Sequence, residues 1–348
     1  METLWFILVS ILFIGFAVLD GFDLGVGSIY LLITKNEAER HQVRKSIGPI
    51  WGGNEVWLIA AGGTLFFAFP KAYAAILSRF YLGLFILIWF LILRGLSIEL
   101  RSQLANGLWH TFWDVIFNLA SFSLAGFLGV VMGNLLRGIP IVKQGDPTVP
   151  FWTNFLPTGK TGLLDWYTIL IGGFILIALV VQGANYLAWK TKGALSERAK
   201  RLAWHFVLVL IPYLGIVLAV TPKIQPKLIM HYRSHPIGIV FPALIFLTMV
   251  ALVFFIRRGL PGRAFAASCF LSLIMLAATA YGIYPNLLLF TTDPSLSLTI
   301  YNSATTLRNL QVGLIWFSIG FVLLLAYVTV MYRSFWGKVS ATETEQEY

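Results

Sequence analysis

The sequence predicts an all-α, polytopic integral membrane protein with nine transmembrane helices. Three observations carry that reading. Hydrophobic residues make up 58% of the 348 positions and charged residues 11%, against roughly 25% charged in an average soluble domain. The mean hydropathy is +0.81. The apolar residues fall in continuous runs of about 20 or more, the length that crosses a hydrocarbon core of about 30 Å as a helix, and they lack the alternation of barrel strands. A soluble enzyme, a disordered chain and a nucleic-acid-binding domain are excluded, because a soluble fold of this size cannot hide so much apolar surface.

Nine runs qualify: 4–33, 50–69, 75–98, 114–136, 164–189, 203–221, 237–256, 264–289 and 311–332. The second is the least apolar, because Glu55 interrupts it. Sixteen of the 25 basic residues fall on one side. They follow span one (Lys35, Arg40, Arg44, Lys45), span three (Arg94, Arg101), span five (Lys190, Lys192, Arg198, Lys200, Arg201) and span seven (Arg257, Arg258, Arg263), and end the chain (Arg333, Lys338). The positive-inside rule makes that side cytoplasmic, with the N-terminus outside and the C-terminus inside. An odd number of spans requires opposite ends, so count and charge agree. These loops also account for the net charge of +10 without nucleic acid as a partner.

The N-terminal run lacks a basic start and carries Glu2, so it reads as a span and not as a cleaved signal peptide. The outer connection 137–163, with Pro140, Pro147, Pro150 and Pro157, reads as an irregular surface loop suited to a partner contact. The tail with Glu343, Glu345 and Glu347 reads as a disordered cytoplasmic end. Gly21 with Gly25, and Gly129 with Gly133, are small-xxx-small pairs that let helices pack closely. Span five echoes span one, Gln182-Gly183-Ala184-Asn185 against Asp20-Gly21-Phe22-Asp23, but one shared glycine does not establish a repeat.

Buried charge is the functional signal. A carboxylate inside the membrane costs about 2.5–3.5 kcal/mol on insertion scales, and the first two spans hold three: Asp20, Asp23 and Glu55. With a rise of about 1.5 Å per residue, Asp20 and Asp23 lie about 24 and 28 Å into span one, and Glu55 about 9 Å from the same interface. Glu99 follows on that side, beside Arg94 and Arg101. Four acids are thus expected to converge near one face. Asp20 and Asp23 share a helix face, and two carboxylates so close in low dielectric do not both ionise easily, which suits a proton path. The plainer expectation pairs Asp23 with Arg44 or Lys45, and Glu99 with Arg94 or Arg101.

The single cysteine, Cys269, excludes a thiolate metal site. His41 and His110 are placed in cytoplasmic loops, and His231 and His235 in an outer loop. Met132, Met249 and Met275 read as packing. His205, at the end of span six, is the one candidate axial ligand for a haem, and no span offers a facing pair. No haem or metal is therefore expected to be ligated by this chain.

Several segments stand in fixed order: Gly21-Phe22-Asp23-Leu24-Gly25-Val26-Gly27, Gly48-Pro49-Ile50-Trp51-Gly52-Gly53-Asn54-Glu55-Val56-Trp57-Leu58, Phe69-Pro70 with Tyr73-Ala74, Arg94-Gly95 with Glu99 and Arg101, and Trp109 with Trp113-Asp114. Together they are similar to subunit II of the cytochrome bd quinol oxidases. The close match covers the first third of the chain, and beyond it the nine-span plan and Gln182-Gly183-Ala184 continue it. The resemblance implies two four-helix bundles plus one peripheral helix. The first is 1–136 with the acidic cluster, the outer loop is 137–163, the second bundle is 164–289, the ninth helix is 311–332 and the tail is 333–348. It implies a bacterial cytoplasmic (inner) membrane location and a haem-bearing subunit I as partner, carrying b- and d-type haems. Small single-span subunits, membrane lipid, the quinol pool and a bound quinone are compatible with it.

The activity so implied is quinol oxidation coupled to reduction of dioxygen to water. This chain would support subunit I and pass cytoplasmic protons through Asp20, Asp23, Glu55 and Glu99, with Arg94, Arg101, Trp51, Asn54 and Trp57 as structural or assembly residues. Family members often carry an acid where this sequence has Gly52; Glu55, three residues on and on the same helix face, is expected to replace it. A proton-coupled secondary transporter is the rival reading, although transporters tend to show paired broken helices at mid-membrane. A scaffold with every acid locally paired is the third.

Overall fold

A computed structural model of the chain describes residues 1–140, 148–157, 160–234, 236–291 and 293–340. In order, the elements are α1 (Glu2–Ile33), α2 (Glu37–Ile47), α3 (Trp51–Ala68), α4 (Pro70–Arg79), α5 (Tyr81–Leu100), α6 (Gly107–Arg137), α7 (Trp166–Lys190), α8 (Gly193–Ile224), α9 (Pro226–Ser234), α10 (Val240–Arg257) and α11 (Pro261–Ile283). A two-stranded hairpin of β1 (Asn286–Leu288) and β2 (Leu298–Thr299), the single turn α12 (Ile300–Ser303) and the long α13 (Leu307–Ser334) complete the chain. Among the described residues, eight helices are long and apolar enough to cross a membrane, and α3 with α4 makes a ninth candidate only as a pair bent by 119°.

That bend corrects two expected boundaries. Pro70 opens α4, and the residue before a proline is driven out of the helical region; Phe69 sits at φ −132°, ψ 60°. Span three therefore begins at Tyr81, not at 75, and residues 75–79 belong to α4. Span eight also ends early, at Ile283, where Pro285 follows and the chain becomes extended. His41 lies within α2 and His110 within the first turns of α6, not in loops.

Helix ends follow the local sequence. Asn36 caps α2 by accepting from the Glu39 amide at 3.0 Å, with Glu37 and Glu39 in the first turn and Arg44 and Lys45 in the last, each at the end of the dipole that favours it. This short amphipathic helix buries Val43 and Ile47 and marks what is here named the α2 face. Asn106 caps α6 and Asp165 forms a capping box on α7.

α1 and α7 are the central pair. A Cβ on Gly25 would overlap the Leu179 carbonyl, and one on Gly183 would overlap the backbone of Gly25 and Val26, so the two helices cross at backbone contact distance. α6 packs on α7 in the same way, with Gly129 and Gly133 against Gly172 and Thr168. α1 also packs on α3, α6 and α11, and α6 on α5, while α7, α8, α10 and α11 form a closed ring. α13 lies outermost against α3 and α1: Met331 and Tyr327 meet Gly53, Phe67 meets Gly313, and Trp5 packs edge-on to Phe317.

On the opposite face, the described ends of the 137–163 connection are pinned, which corrects the expectation of a wholly irregular surface loop. Ile139, Val149 and Leu163 are buried with Phe80, Leu288 and Phe290, and Arg137 pairs with Asp165 and donates to the Asn134 side chain and the Gly162 carbonyl. Lys143, Pro147, His235 and the acidic tail Glu343, Glu345 and Glu347 lie outside the described residues.

Candidate functional site

Two charged clusters occupy the first spans. The inner one is built from four helices. α1 supplies Asp20 and Asp23, three residues apart and both fully buried. α5 brings Arg94, 1% exposed, whose guanidinium clamps Asp20 with both terminal nitrogens at 3.0 and 2.6 Å. The second of these nitrogens stands 4.0 Å from Asp23. α3 supplies Asn54, whose amide donates to Asp23 Oδ2 at 2.7 Å, and α13 supplies Tyr332, whose hydroxyl donates to the Asn54 carbonyl oxygen at 2.8 Å. Asp23 Oδ1 and Arg94 Nε have no partner among the described residues. The cluster thus holds two carboxyls against one guanidinium, with one carboxyl oxygen and one N–H unspent.

Glu55 is half-buried one position after Asn54, within electrostatic reach of Arg94 and Asp20. Gly52 is exposed, and a Cβ there meets nothing within 4 Å. Trp51 lies against Gly95 of α5 at 3.2 Å from its ideal Cβ, and Trp57 is buried between Gly15 of α1 and Phe321 of α13.

The outer cluster centres on Asp114, near the start of α6 and 1% exposed. Arg101 donates to it through Nε at 2.6 Å and Nη2 at 3.0 Å, Arg40 at 3.1 Å and the Tyr30 hydroxyl at 2.7 Å. Arg44 stands 3.6 Å away. Glu37 closes the group from α2, accepting from Arg101 at 2.8 and 2.9 Å and from Arg44 at 3.3 Å. Burial works to raise the Glu37 carboxyl, but the hydrogen bonds and charge of Arg101, and then Arg44, outweigh it and hold it below the usual carboxylate range. Glu39, paired with Arg198, is held low in the same way. Every carboxylate here is matched by cations, which is the pattern of a clasp that seats α2 on the bundle.

The geometry corrects the expected pairings. Arg94 pairs with Asp20, and Arg101 with Asp114 and Glu37; Glu99 is exposed and has no cation partner among the described residues. The convergence of four acids is therefore one of three, Asp20, Asp23 and Glu55. Asp23 is held by Asn54 and not by Arg44 or Lys45. Asp114 and Tyr332 were not singled out as site residues. Asp114 carried a signal, being the one carboxylate of its helix beside a cation-rich face; Tyr332 carried none, since its partner lies 278 residues away.

The described histidines do not suit a haem. His205 is exposed on α8, with Nδ1 against the Arg201 carbonyl at 2.7 Å, and neither His41 on α2 nor His110 on α6 lies mid-span. No group of three metal-ligating side chains occurs among the described residues.

The comparisons with known proteins agree in kind. A family model described as cytochrome bd terminal oxidase subunit II matches residues 1–335. The chain is 30% identical to a probable cytochrome oxidase subunit 2 of Haemophilus influenzae over 98% of its length and 96% of the relative's. It is 28% identical to the cytochrome bd-I ubiquinol oxidase subunit 2 of Escherichia coli, covering 99% and 97% of the two chains. It is 29% identical to the cytochrome bd ubiquinol oxidase subunit 2 of Bacillus subtilis, covering 90% and 89%. In fold it matches a chain of the bd oxidase from Geobacillus thermodenitrificans with a TM-score of 0.72 at 20% identity, over 96% and 98% of the two chains.

Proposed function

The chain belongs to the cytochrome bd terminal oxidase subunit II family, and from that membership we propose that it supports a haem-bearing subunit I and carries part of the proton supply for reduction of dioxygen to water. The electron donor in this reading is a quinol, the complex sits in the bacterial inner membrane, and the α2 face, rich in arginine and lysine, is cytoplasmic. Haem and quinol chemistry belong to the partner.

One observation carries the proton reading: the inner cluster has more carboxyls than cations. Asp20 is engaged by both arms of Arg94, and a carboxylate in that geometry is a fixed counter-ion. Asp23 has an oxygen with no donor on it, so it takes up a proton without breaking a bond. Glu55, half-buried next to Asn54, is the loading point between water and Asp23. In this division Asp20 and Arg94 set the field, and Glu55 and Asp23 exchange protons. Asp114, wholly paired, is structural, and Glu99 stands outside the path.

Glu55→Gln in the full complex tests this. An amide keeps size and hydrogen bonding but cannot ionise. Haem content and assembly should be normal, with oxygen consumption per haem slowed at least about tenfold, short of the 10²–10⁴ typical of a lost general acid or base because Asp23 remains. Gly52→Asp combined with Glu55→Gln should recover part of the rate, since the space beside Gly52 is open. Asp23→Asn should slow turnover further. Full activity in both single variants removes this chain from the proton supply and leaves it a scaffold.

A further inference from the structure

We propose that the α10–α11 hairpin is a binding site for one anionic phospholipid, its phosphate held by Arg258 and Arg263 and an acyl chain laid in the groove between the two helices. A groove of about 470 Å³ runs along this pair. Leu244, Leu247, Ala251 and Phe255 of α10 and Ala266 and Phe270 of α11 line it, and Arg263 stands at its rim. From Phe255 to Leu244 the groove extends about 16 Å at 1.5 Å per residue, which is half of a hydrocarbon core of about 30 Å. It is therefore about as deep as one leaflet.

The charge at its mouth selects the headgroup. Arg258 and Arg263 are exposed and neither has a carboxylate partner among the described residues; Arg258 sits over the Phe254 ring at 5.4 Å, whereas Arg257 turns away from the groove onto the Trp204 ring of α8 at 5.0 Å. Trp189, stacked on Phe265 at 5.7 Å, abuts Gly262 at the start of α11. Tryptophans at this level belong to the membrane–water boundary, so the guanidinium groups lie at phosphate height. Two cations with no protein counter-ion among the described residues, heading an apolar slot about one leaflet deep, fit a lipid phosphate and its chain. Elsewhere on the α2 face, Arg40, Arg44 and Arg101 are engaged on Asp114 and Glu37, and Arg198 on Glu39, while Arg201 and Arg333 are exposed and do not line the groove.

The test is native mass spectrometry of the delipidated complex, titrated with dioleoylphosphatidylglycerol or dioleoylphosphatidylcholine, which share chains and differ in headgroup. A basic residue near an anionic headgroup contributes about fivefold, so two bring the preference to about twenty-five-fold at most, and at least a tenfold preference for the glycerol lipid is expected. The double variant R258Q/R263Q should bind the two lipids equally. A251F, which fills the groove and keeps the charge, should weaken both. The inference is overturned if the wild type shows no preference, if the double variant keeps it, if A251F binds as the wild type does, or if millimolar inorganic phosphate displaces the lipid, which would mark a free-anion site.

Discussion

Arg94 and Asp20 form a pair whose two halves should respond very differently to removal. Replacing Arg94 by Leu strips the inner cluster of its single cation and leaves Asp20 and Asp23 in a site where both are fully buried. Breaking a buried pair from one side costs about 3–5 kcal/mol, roughly two to three and a half powers of ten in the folding equilibrium, and among the described residues no other cation pairs with either acid. Asp20→Asn is milder. Arg94 Nη2 already stands 4.0 Å from Asp23, so a small shift gives the guanidinium a second carboxylate, and the carbonyl oxygen of the introduced amide still accepts one hydrogen bond. About 1–2 kcal/mol is expected, the value of one weakened charged hydrogen bond. Arg94→Lys should fall between, because a point charge replaces a two-armed clamp. The assay is the haem-bearing complex recovered per milligram of membrane, with its thermal midpoint followed by haem absorbance. Equal losses in Arg94→Leu and Asp20→Asn, or normal recovery of Arg94→Leu, would refute the reasoning.

Three further outcomes follow from the packing and the charges. Gly183→Ala places a methyl in the backbone of Gly25 and Val26 and should cost about 1–3 kcal/mol as an overpacked crossing, whereas Gly62→Ala, with nothing within 4 Å, should be neutral or slightly stabilising; thermal midpoints of the two complexes decide this. Glu37 is held below its ordinary value, so its contribution is complete above an unfolded carboxyl value of about 4.3 and is lost as pH falls through the lower folded one; the midpoint difference between wild type and Glu37→Gln should therefore shrink below about pH 4.3, and a constant difference from pH 7 to 3 refutes it. A reporter fused after Ser340 should be active only as a cytoplasmic one, and a periplasmic signal overturns the orientation taken from the basic loops.

The membrane plan was legible because hydropathy acts along the chain, but its breaks needed a finer signal. The apolar run through 75–98 hid the end of α4, although Phe69-Pro70 carried the break in two letters. The inner cluster was legible through cost: Asp20, Asp23 and Glu55 stand out because few residues sit inside a membrane unpaired. What the sequence could not supply was who pairs with whom. Arg94 and Glu99 are close in sequence and on one helix, yet five residues along a helix turn the side chains about 140° apart. Arg94 instead meets an acid 74 residues away, a contact decided by how α1 and α5 pack. Asn54 reads as one more polar residue in a glycine-rich stretch until Tyr332 and Asp23 are seen on either side of its amide.

The chain from Tyr332 through Asn54 to Asp23 has a temporal meaning. α13 follows every other described helix in the chain, so this lateral closure over Asp23 cannot form until residue 332 has reached α1 and α3. Just beyond it, the Lys190 ammonium donates to the Phe335 carbonyl, the Val339 amide donates to the Lys190 carbonyl and Gln42 donates to the Val339 carbonyl. Phe335 and Val339 therefore latch both α2 and the C-terminal end of α7. A chain cut short before residue 332 keeps Asp23 and Asn54 but not their cover, and exposes an amide and a carboxyl to lipid where water cannot satisfy them. The arrival of α13 is thereby written into the stability of the buried site, and a copy that lacks it differs from one that has it in a way that membrane quality control can read.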